Sequence, residues 1–584
     1  MQTADLVIRG GTVVDGSGAP PFEADVVVAG DRVVAVGKHD GAAGEVIDAK
    51  GKIVTPGFVD VHTHLDAQIT WDPLGSPSNL HGVTSVIVGN CGVGFAPCKP
   101  RDRDYLMFLM EGVEDIPQAA LKAGLRWNWE TFPEYLGALA RQPLGLNVGA
   151  HLSHAPLRIY VMGERGATDT PATDEELQLM QQHVRAAMQA GALGFDTGRT
   201  TMHRTPAWDP VPGTFADRRE LTAIASALAQ SGTGVFELIP YGGAGEDARG
   251  FEKEFGWMVP LGRDSGRPIS LSLVQNLAYP DVWREVIERA AAANQHGARI
   301  VPQVAARSVG ILLGFGTSLS PLSLFPAAAG MIGKPVDEQR ALLRDPGVRA
   351  RLSASIAETT GDILGGMARL ENVFPLEDIG VRTYETTPDR SVVAIGERLG
   401  KHPMQVMLDL IVAHDLRNFF IVPLFNHDLE AAGAMLANPM TTIGLGDSGA
   451  HTSQTSDSGF PTFTLAYWVR ERQLLSLPLA VKKLTSDLAS LWGLHDRGVI
   501  RPGAYADLNV IDFDRLDLRL PVVRCDLPAG APHLHQGARG FAATVVNGKI
   551  LMRDGRHTGA LPGVVLRNER FTEAAKRVPR PADC

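Results

Sequence analysis

Hydrophobic and polar positions follow one pattern at both ends of the chain and another in the middle. Up to residue 54, short Val/Ile runs alternate with Gly and Asp turns, as in DLVIRGGTVVDG and ADVVVAGDRVVAVG, which is typical of β-strands. The pattern returns in AYADLNVIDF (504–513) and ATVVNGKILMRDG (543–555), where Asn547-Gly548 is a hairpin signal. We therefore predict a small β-sandwich domain built from residues 1–54 and 496–584.

The middle of the chain, residues 55–495, alternates strand-like runs with helical periodicity. Helical patterns cover 174–190 and 279–295, for example. Repeated βα units imply a parallel sheet, and their number predicts an α/β fold of the (β/α)8 barrel type. Nine strand candidates compete for eight positions: 53–64, 84–90, 144–151, 192–197, 234–239, 268–274, 298–304, 418–423 and 441–447. The long segment 305–415 is expected to hold helical insertions that cover the site.

Composition and charge narrow the class of protein. With 584 residues, the chain is too long to fold around a single compact core. Its composition, 44% apolar and 21% charged residues, is ordinary for a soluble globular protein. A net charge of −10 disfavours nucleic acid or an anionic membrane as a partner. We see neither a signal peptide nor an apolar run of about 18 residues, and the four cysteines are too few for a disulfide framework. We expect a cytoplasmic protein that acts on a small-molecule substrate. The sequence does not decide whether it forms a homo-oligomer.

The stretch GFVDVHTHLD (57–66) carries the first candidate chemistry. His62 and His64 lie two apart behind a strand, so both face the same side. Neutral imidazole is the commonest metal ligand, although two surface histidines at a strand end would read the same way. Asp66 follows and could orient a ligand.

Further candidates fall at other predicted strand ends, where barrel chemistry gathers. These are Cys91, His151 with His154 one turn on, and Asp447 in GLGDSGAHT. Each has a structural alternative: a buried thiol, satisfied core histidines, and a helix cap. Their coincidence at strand ends favours a Zn²⁺ site, because carboxylate, imidazole and thiolate are zinc ligands.

Several longer motifs resemble a known family. The N-terminal β segment, PGFVDVHTHLD, IGLGDSGAH and LTSDLASLWGLHDRGVIRPGAYADLNVIDFD resemble the amidohydrolase superfamily. GNCG at 89–92 and GALGFDTGRT at 191–200 resemble its N-acyl-D-amino-acid deacylase (D-aminoacylase) branch. The resemblance spans nearly the whole chain. It implies a zinc hydrolase of C–N amide bonds.

The resemblance also implies roles for individual residues. His62 and His64 would bind one metal, Cys91 would be a thiolate ligand in place of a carboxylated lysine, and Asp447 would be ligand and general base. As a mechanism we expect Zn²⁺-activated water to attack the amide. We expect His151 or His154 to hydrogen-bond the oxyanion.

The chain departs from the branch on its middle strands. D-aminoacylases carry histidine ligands there, whereas SLSLVQN and IVPQVAARS offer Gln275 and Gln303. An amide oxygen is a weaker zinc ligand than imidazole. We therefore expect one firmly bound Zn²⁺ at His62, His64 and Asp447, with Cys91 near or bound, and regard a second metal as doubtful.

The substrate is also left open. Family members that bind a carboxylate have an Arg soon after the last-strand Asp, but SDSGFPTF (456–463) has none. Arg199, Arg204, Arg307, Gln275 and Gln303 are the candidate substrate contacts. The alternatives are a hydrolase of lactones, cyclic amides or aryl amides, and a metal-free scaffold. The loop 202–220 fits either an active-site lid or a surface excursion.

Overall fold

The computed structural model of the protein describes residues 4–356, 362–363, 368–455 and 457–571. Residues 572–584, and with them Cys584, lie outside the described residues, as does Ser456. Among the described residues, Cys91, Cys98 and Cys525 are free cysteines. Within the described ranges, no helix combines the length and apolarity that crossing a bilayer requires.

The N-terminal residues form one side of a β-sheet. Strand β1 pairs antiparallel with β2 and parallel with β4 and β5. Val26 and Val28 are buried in one hydrophobic cluster and Val27 in another, because successive side chains of a strand point to opposite faces of the sheet. The strands are β1 (Ala4–Val13), β2 (Phe22–Ala29), β3 (Arg32–Gly37), β4 (Ala43–Asp48) and β5 (Ile53–Pro56).

A parallel barrel follows, and its strands are each paired with the next along the chain. They are almost entirely buried, which explains their continuous apolar runs. The first seven are β6 (Phe58–Asp60), β7 (Val83–Val88), β8 (Asn147–Ser153), β9 (Gly194–Gly198), β10 (Val235–Ile239), β11 (Ile269–Leu273) and β12 (Ile300–Ala305).

Helices connect these strands and pack on the outside of the barrel. Leu177, Met180 and Val184 show the spacing of an apolar face turned to the core. The helices of this part are α1 (Arg103–Glu114), α2 (Gln118–Gly124), α3 (Phe132–Arg141), α4 (His154–Met162), α5 (Asp174–Gln189), α6 (Arg218–Ser231), α7 (Gly250–Ser265) and α8 (Val282–Gln295).

An insertion separates β12 from the last barrel strand and has a hydrophobic cluster of its own. Its strands are β13 (Val309–Leu313), β14 (Asp362–Ile363), β15 (Ala368–Arg369), β16 (Phe374–Pro375) and β17 (Phe420–Phe425). Its helices are α9 (Val336–Arg344), α10 (Pro346–Ser355), α11 (Val392–Leu399), α12 (Pro403–Ala413) and α13 (Leu429–Ala437). Strand β17 pairs antiparallel with β13 and β16, so the candidate at 418–423 is the accessory ninth strand.

Strand β18 (Thr442–Gly444) completes the eight-stranded sheet beside β12. The sheet closes through a parallel bridge between Thr63 and Ser448. The backbone N–H of Asp447 donates to the carbonyl of His62 at 3.0 Å on the same seam. Helices α14 (Phe460–Phe463), α15 (Leu477–Leu484) and α16 (Ser486–Leu491), with a π-helical segment at Thr464–Glu471, lead back to the terminal sheet.

The C-terminal strands complete the sheet that the N-terminus began. Strand β19 pairs antiparallel with β5, and the sheet has nine strands drawn from both ends of the chain. Asn547 and Gly548 join β24 to β25 with positive φ at both positions, as a type I′ hairpin requires. The expected fold class, a (β/α)8 barrel with a small β domain formed from both termini, is confirmed. The strands that join this sheet are β19 (Leu508–Ile511), β24 (Phe541–Val546), β25 (Lys549–Arg553) and β26 (Arg556–His557). Two separate two-stranded sheets pair β20 (Asp517–Leu518) with β23 (Ala538–Arg539), and β21 (Val522–Arg524) with β22 (His533–His535).

Candidate metal centre

Two imidazoles and a thiol meet at the carboxyl edge of the barrel. His62 and His64 follow β6, and Cys91 follows β7. The Nε2 atoms of His62 and His64 both lie 3.4 Å from Sγ of Cys91. All three side chains are buried, so their donor atoms are held together away from bulk water.

Asp447 brings a fourth donor from beyond the last barrel strand. Its Oδ1 lies 3.3 Å from Nε2 of His62 and 3.9 Å from Nε2 of His64. Zinc bonds of ordinary length at tetrahedral angles would set about 3.5 Å between N and S and about 3.3 Å between N and O. We call these four atoms the donor cluster; His62, His64 and Cys91 form a compact candidate metal-binding group, and Asp447 lies at the expected spacing from His62 but farther from His64.

A tight turn sets the position of Cys91. Its φ is +57°, a left-handed conformation, and Gly92 follows with φ +73°. A Cβ on Gly92 would lie 2.5 Å from the backbone nitrogen of Gly198, so that position excludes a side chain. The Asn90 amide donates to the carbonyl of Thr63 at 3.0 Å, which ties this turn to the loop that carries the two histidines.

Each of the two imidazoles also faces a carboxylate with its other ring nitrogen. Nδ1 of His62 lies 3.2 Å from Oε1 of Glu237, on β10. Nδ1 of His64 lies 3.4 Å from Oε1 of Glu114, at the end of α1. The hydrogen bond between His62 and Glu237 favours the tautomer that presents Nε2 of His62 to a metal, whereas the longer contact between His64 and Glu114 is not a hydrogen bond.

The protein alone disfavours the charged forms of these groups. Burial raises the pKa of the Cys91 thiol well above its usual value, and the carboxylates of Glu114 and Asp447 add to this. Burial also raises the pKa of Asp447 to about 6, an effect that His62 opposes and Asp457 increases. A cation at the centre of the donor cluster would offset the burial cost and favour the thiolate and carboxylate.

The donor cluster opens into a cavity of about 370 Å³. One wall comes from the insertion, through Val309 and Ile311 of β13 and Leu424 and Phe425 of β17. The residues that line it are His62, His64, Cys91, Glu111, Gly112, Val113, Glu114, Asp115, Thr200, Met202, His203, Ile239, Gly243, Ala244, Ser272, Val274, Val309, Gly310, Ile311, Leu424, Phe425, Leu445, Asp447, His451, Gln454 and Thr455.

Comparisons with known proteins identify the family of this chain. The amidohydrolase family model matches residues 45–552. The chain belongs to the amidohydrolase family. It is 30% identical to the Mycobacterium tuberculosis protein Rv2913c, over 88% of this chain and 85% of that protein. It is 27% identical to the D-aminoacylase of Alcaligenes xylosoxydans xylosoxydans, over 97% of this chain and 98% of the enzyme.

A solved structure shares the fold of this family member. It is the N-acyl-D-glutamate deacylase of Bordetella bronchiseptica, complexed with zinc and a phosphonate inhibitor, at TM-score 0.62 and 24% identity over 97% of this chain and 100% of that one. The resemblance to D-aminoacylase-like amidohydrolases is confirmed. The protein is a hydrolase that acts on C–N amide bonds.

The two histidines expected at the oxyanion lie elsewhere in this amidohydrolase. Nε2 of His151 accepts the indole N–H of Trp492 at 2.8 Å, and its Nδ1 lies 3.2 Å from Oδ1 of Asn90. His154 is hydrogen-bonded through Nδ1 to Thr197 and through Nε2 to Glu220. Both rings are buried, have both nitrogens engaged and do not line the cavity.

The two glutamines expected on the middle strands also turn away from the cavity. Gln303 donates to Glu237 and accepts the backbone N–H of Leu445, so it braces the barrel interior. Oε1 of Gln275 accepts the N–H of Asp428 at 3.2 Å. Neither one contacts the donor cluster.

The three arginines proposed for substrate binding pair within the protein. Arg199 donates to Glu254. Arg204 donates to the carbonyls of Thr201 and Trp208. Arg307 lies 2.7 Å from Asp457 and stacks over Tyr384. None of the three lines the cavity, so the structure gives them positions that support the fold.

Sequence reasoning missed four polar residues of the site. Glu114 and Glu237 contact the imidazoles, and His203 and His451 line the cavity. Glu237 was visible as an acid in the apolar strand GVFELI, and His451 belongs to the motif GLGDSGAHT. His203 had no comparable signal, because a histidine in a Pro- and Gly-rich loop is ordinarily solvated.

Proposed function

We propose that this amidohydrolase uses one zinc ion, held by His62, His64, Cys91 and Asp447, to hydrolyse the amide bond of an acylated amine. The observation that carries the proposal is the convergence of the donor cluster, in which both imidazoles lie at the spacing that tetrahedral zinc would set from Cys91, and His62 also lies at that spacing from Asp447. The D-aminoacylase relative and the zinc-bound deacylase of the same fold support it.

The strands that face the cavity favour a single metal within it. Three residues of this region line the cavity: Ile239 on β10, Ser272 on β11 and Val274 directly after β11. Isoleucine and valine offer no ligand atom, and a serine hydroxyl is a poor zinc ligand. A second metal would therefore lack imidazole ligands on these strands.

Asp447 is the proposed general base and acid. Bound zinc would lower the pKa of water to about 7 and polarise a carbonyl. Oδ1 of Asp447 faces the two imidazoles, which leaves the second oxygen of the carboxylate for proton transfer. The carboxylate takes a proton from the attacking water and delivers it to the leaving nitrogen, so the C–N bond breaks to give an acid and an amine.

His203 is the proposed donor to the developing oxyanion. It lines the same cavity as the donor cluster, and its Nδ1 is buried without a hydrogen-bond partner among the described residues. Burial and the neighbouring His451 and His62 lower its pKa to about 3, so the ring is neutral and keeps one N–H to donate. This replaces the role first given to His151 and His154.

Removal and return of the metal tests the function. Purified protein should contain close to one zinc per chain, lose amide hydrolysis in a chelator, and regain it with added Zn²⁺. A panel of N-acyl-D-amino acids, neutral amides, cyclic amides and lactones would show which bond is cleaved. Hydrolysis of lactones alone would contradict an amide substrate, and full activity in metal-free protein would contradict the proposed centre.

A further inference from the structure

The cavity that holds the donor cluster is lined by several acidic side chains. They are Glu111, Glu114, Asp115 and Asp447. Among the residues that the structure describes, no lysine or arginine lines it. The unplaced internal positions, 357–361, 364–367 and 456, contain neither residue type in the sequence.

Nearby arginines are held in place by other partners. The Arg307 guanidinium is buried against Asp457 and the Tyr384 ring, and turning it to the cavity would leave Asp457 as an unpaired buried charge. Arg199 is similarly held by Glu254, which is also buried. Neither is available to a substrate without breaking a buried pair.

The rest of the cavity suits an apolar group. Side chains of Ile239, Val274, Ile311, Leu424 and Phe425 form its walls. A neutral hydrocarbon or aryl group would gain from leaving water there. A free carboxylate would lose its hydration, meet Glu111 and Asp115, and find no lysine or arginine among the described lining residues to form an ion pair.

We infer, on the basis of the proposed function, that the substrate is a neutral apolar amide without a free carboxylate next to the scissile bond. Water adds to the carbonyl carbon, the C–N bond breaks, and the proton goes to the leaving nitrogen, which yields a carboxylic acid and an apolar amine. The specificity of this family member thus rests on the lack of a lysine or arginine among the described lining residues and on the acidic Glu111 and Asp115.

Three matched compounds test the inference. N-acetyl-D-phenylalanine and N-acetyl-2-phenylethylamine differ only by the carboxylate, and N-acetyl-D-phenylalaninamide restores its size without its charge. With zinc-loaded protein, kcat/KM should be about 100-fold higher for the two neutral compounds than for the acid, since an unpaired buried charge is strongly rejected. An equal or higher kcat/KM for the acid would overturn the inference.

A positive charge introduced at the exposed edge of the cavity provides a second test. Met202 lines the cavity and is 44% exposed, so Met202→Arg adds a cation without burying it. The neutral-to-acid ratio of kcat/KM should fall about tenfold, because the new charge pairs with the carboxylate. Leu179→Arg, on α5 at 43% exposure, is the matched control and should leave the ratio unchanged. An unchanged ratio in Met202→Arg, or the same fall in both variants, overturns the inference.

Binding separates this inference from the proposed function. Absence of hydrolysis for every amide would contradict the proposed function. Calorimetry would still measure the affinities of the three compounds and so test the inferred preference for a neutral ligand. The neutral compounds should bind zinc-loaded protein about tenfold more tightly than the acid. Equal affinities, or binding of none of the three, would overturn the inference.

Discussion

Oδ1 of Asp447 lies 3.3 Å from Nε2 of His62, although the two residues follow the last and the first strands of the barrel. Their backbones are joined as well, because the N–H of Asp447 donates to the carbonyl of His62. The seam that closes the barrel is therefore the seam that assembles the donor cluster. Correct closure of the sheet and correct placement of the ligands are one structural event.

Loss of an imidazole from this seam should remove the metal. His62→Ala and His64→Ala each delete one of four donors, and we expect zinc content to fall from about one per chain to below about 0.1, with amide hydrolysis lost. Metal analysis after dialysis measures this. His296→Ala removes an exposed imidazole from the end of α8 and should keep the full metal content. Zinc retained in both cluster variants would refute the assigned ligands.

Replacement of the proposed base should separate chemistry from folding. Asp447→Asn keeps the shape of the side chain but has little basicity, and we expect kcat to fall by about 10²–10⁴ while the circular dichroism spectrum is unchanged. The measurement is steady-state hydrolysis of a neutral amide by protein loaded with excess zinc. Asp554→Asn, in an exposed hairpin turn, is the control. Near-normal kcat in a zinc-loaded Asp447→Asn enzyme would exclude Asp447 as the base.

The carboxylate behind His62 should tune metal affinity. Glu237→Gln keeps the size of the residue 3.2 Å from Nδ1 of His62 but replaces its ionisable carboxyl group with a neutral amide. We expect zinc affinity to fall about 10–100-fold, as is usual for an outer partner of a metal-bound histidine. Competition with a chromogenic chelator gives the dissociation constant. Glu175→Gln, exposed on α5, should have the affinity of the unchanged protein. The same affinity in Glu237→Gln would show that the contact does not support the ligand.

His203 should affect turnover without affecting metal content. His203→Ala removes the proposed oxyanion donor, and we expect kcat to fall about 10²–10³-fold with zinc content near one. His203→Gln retains an N–H and should recover part of the loss, which a purely structural role would not predict. Trp208→Ala changes an 80% exposed residue of the same loop and serves as control. An unchanged kcat in His203→Ala would show that His203 is not the hydrogen-bond donor to the oxyanion.

Much of the fold and the placement of the candidate metal ligands at strand ends could be predicted from local sequence. Period-two runs at the termini and βα repeats between them depend on near neighbours in the chain, and a histidine pair behind a strand must share a face. Cys91 and Asp447 followed from strand ends, because parallel strands bring their carboxyl ends to one edge. The accessory strand at 418–423 was indistinguishable from a barrel strand, since both are short and apolar.

The rest of the site depends on contacts that local pattern does not contain. His151 lies at the end of a barrel strand, yet its ring meets Trp492, which comes from the far end of the chain and satisfies the nitrogen expected to serve catalysis. Gln303 was expected to face substrate, but its amide joins Glu237 to the backbone of Leu445 inside the barrel. In each case the direction of the side chain is set by a partner remote in sequence.

A buried lysine gives a prediction about stability and pH. Lys483 on α15 is 2% exposed, and its Nζ donates to the carbonyls of Asn438 and Thr441, which precede β18. Burial lowers its pKa from 10.5 to about 8, despite the opposing charge of Asp487. Below pH 8 both the folded and the unfolded chain keep this proton. Between pH 8 and 10.5 the unfolded chain binds it more strongly.

The contribution of Lys483 to the free energy of unfolding should therefore rise with pH in that window. Going from pH 7.5 to 9.5, we expect the natural chain to gain about 2 kcal/mol relative to Lys483→Met, which has no proton to lose. Urea unfolding of both proteins at the two pH values measures the difference. Lys549→Met, at an exposed position of β25, should show no such gain over the same window. A constant difference between the natural chain and Lys483→Met would mean that Lys483 keeps its proton in the folded protein throughout this range.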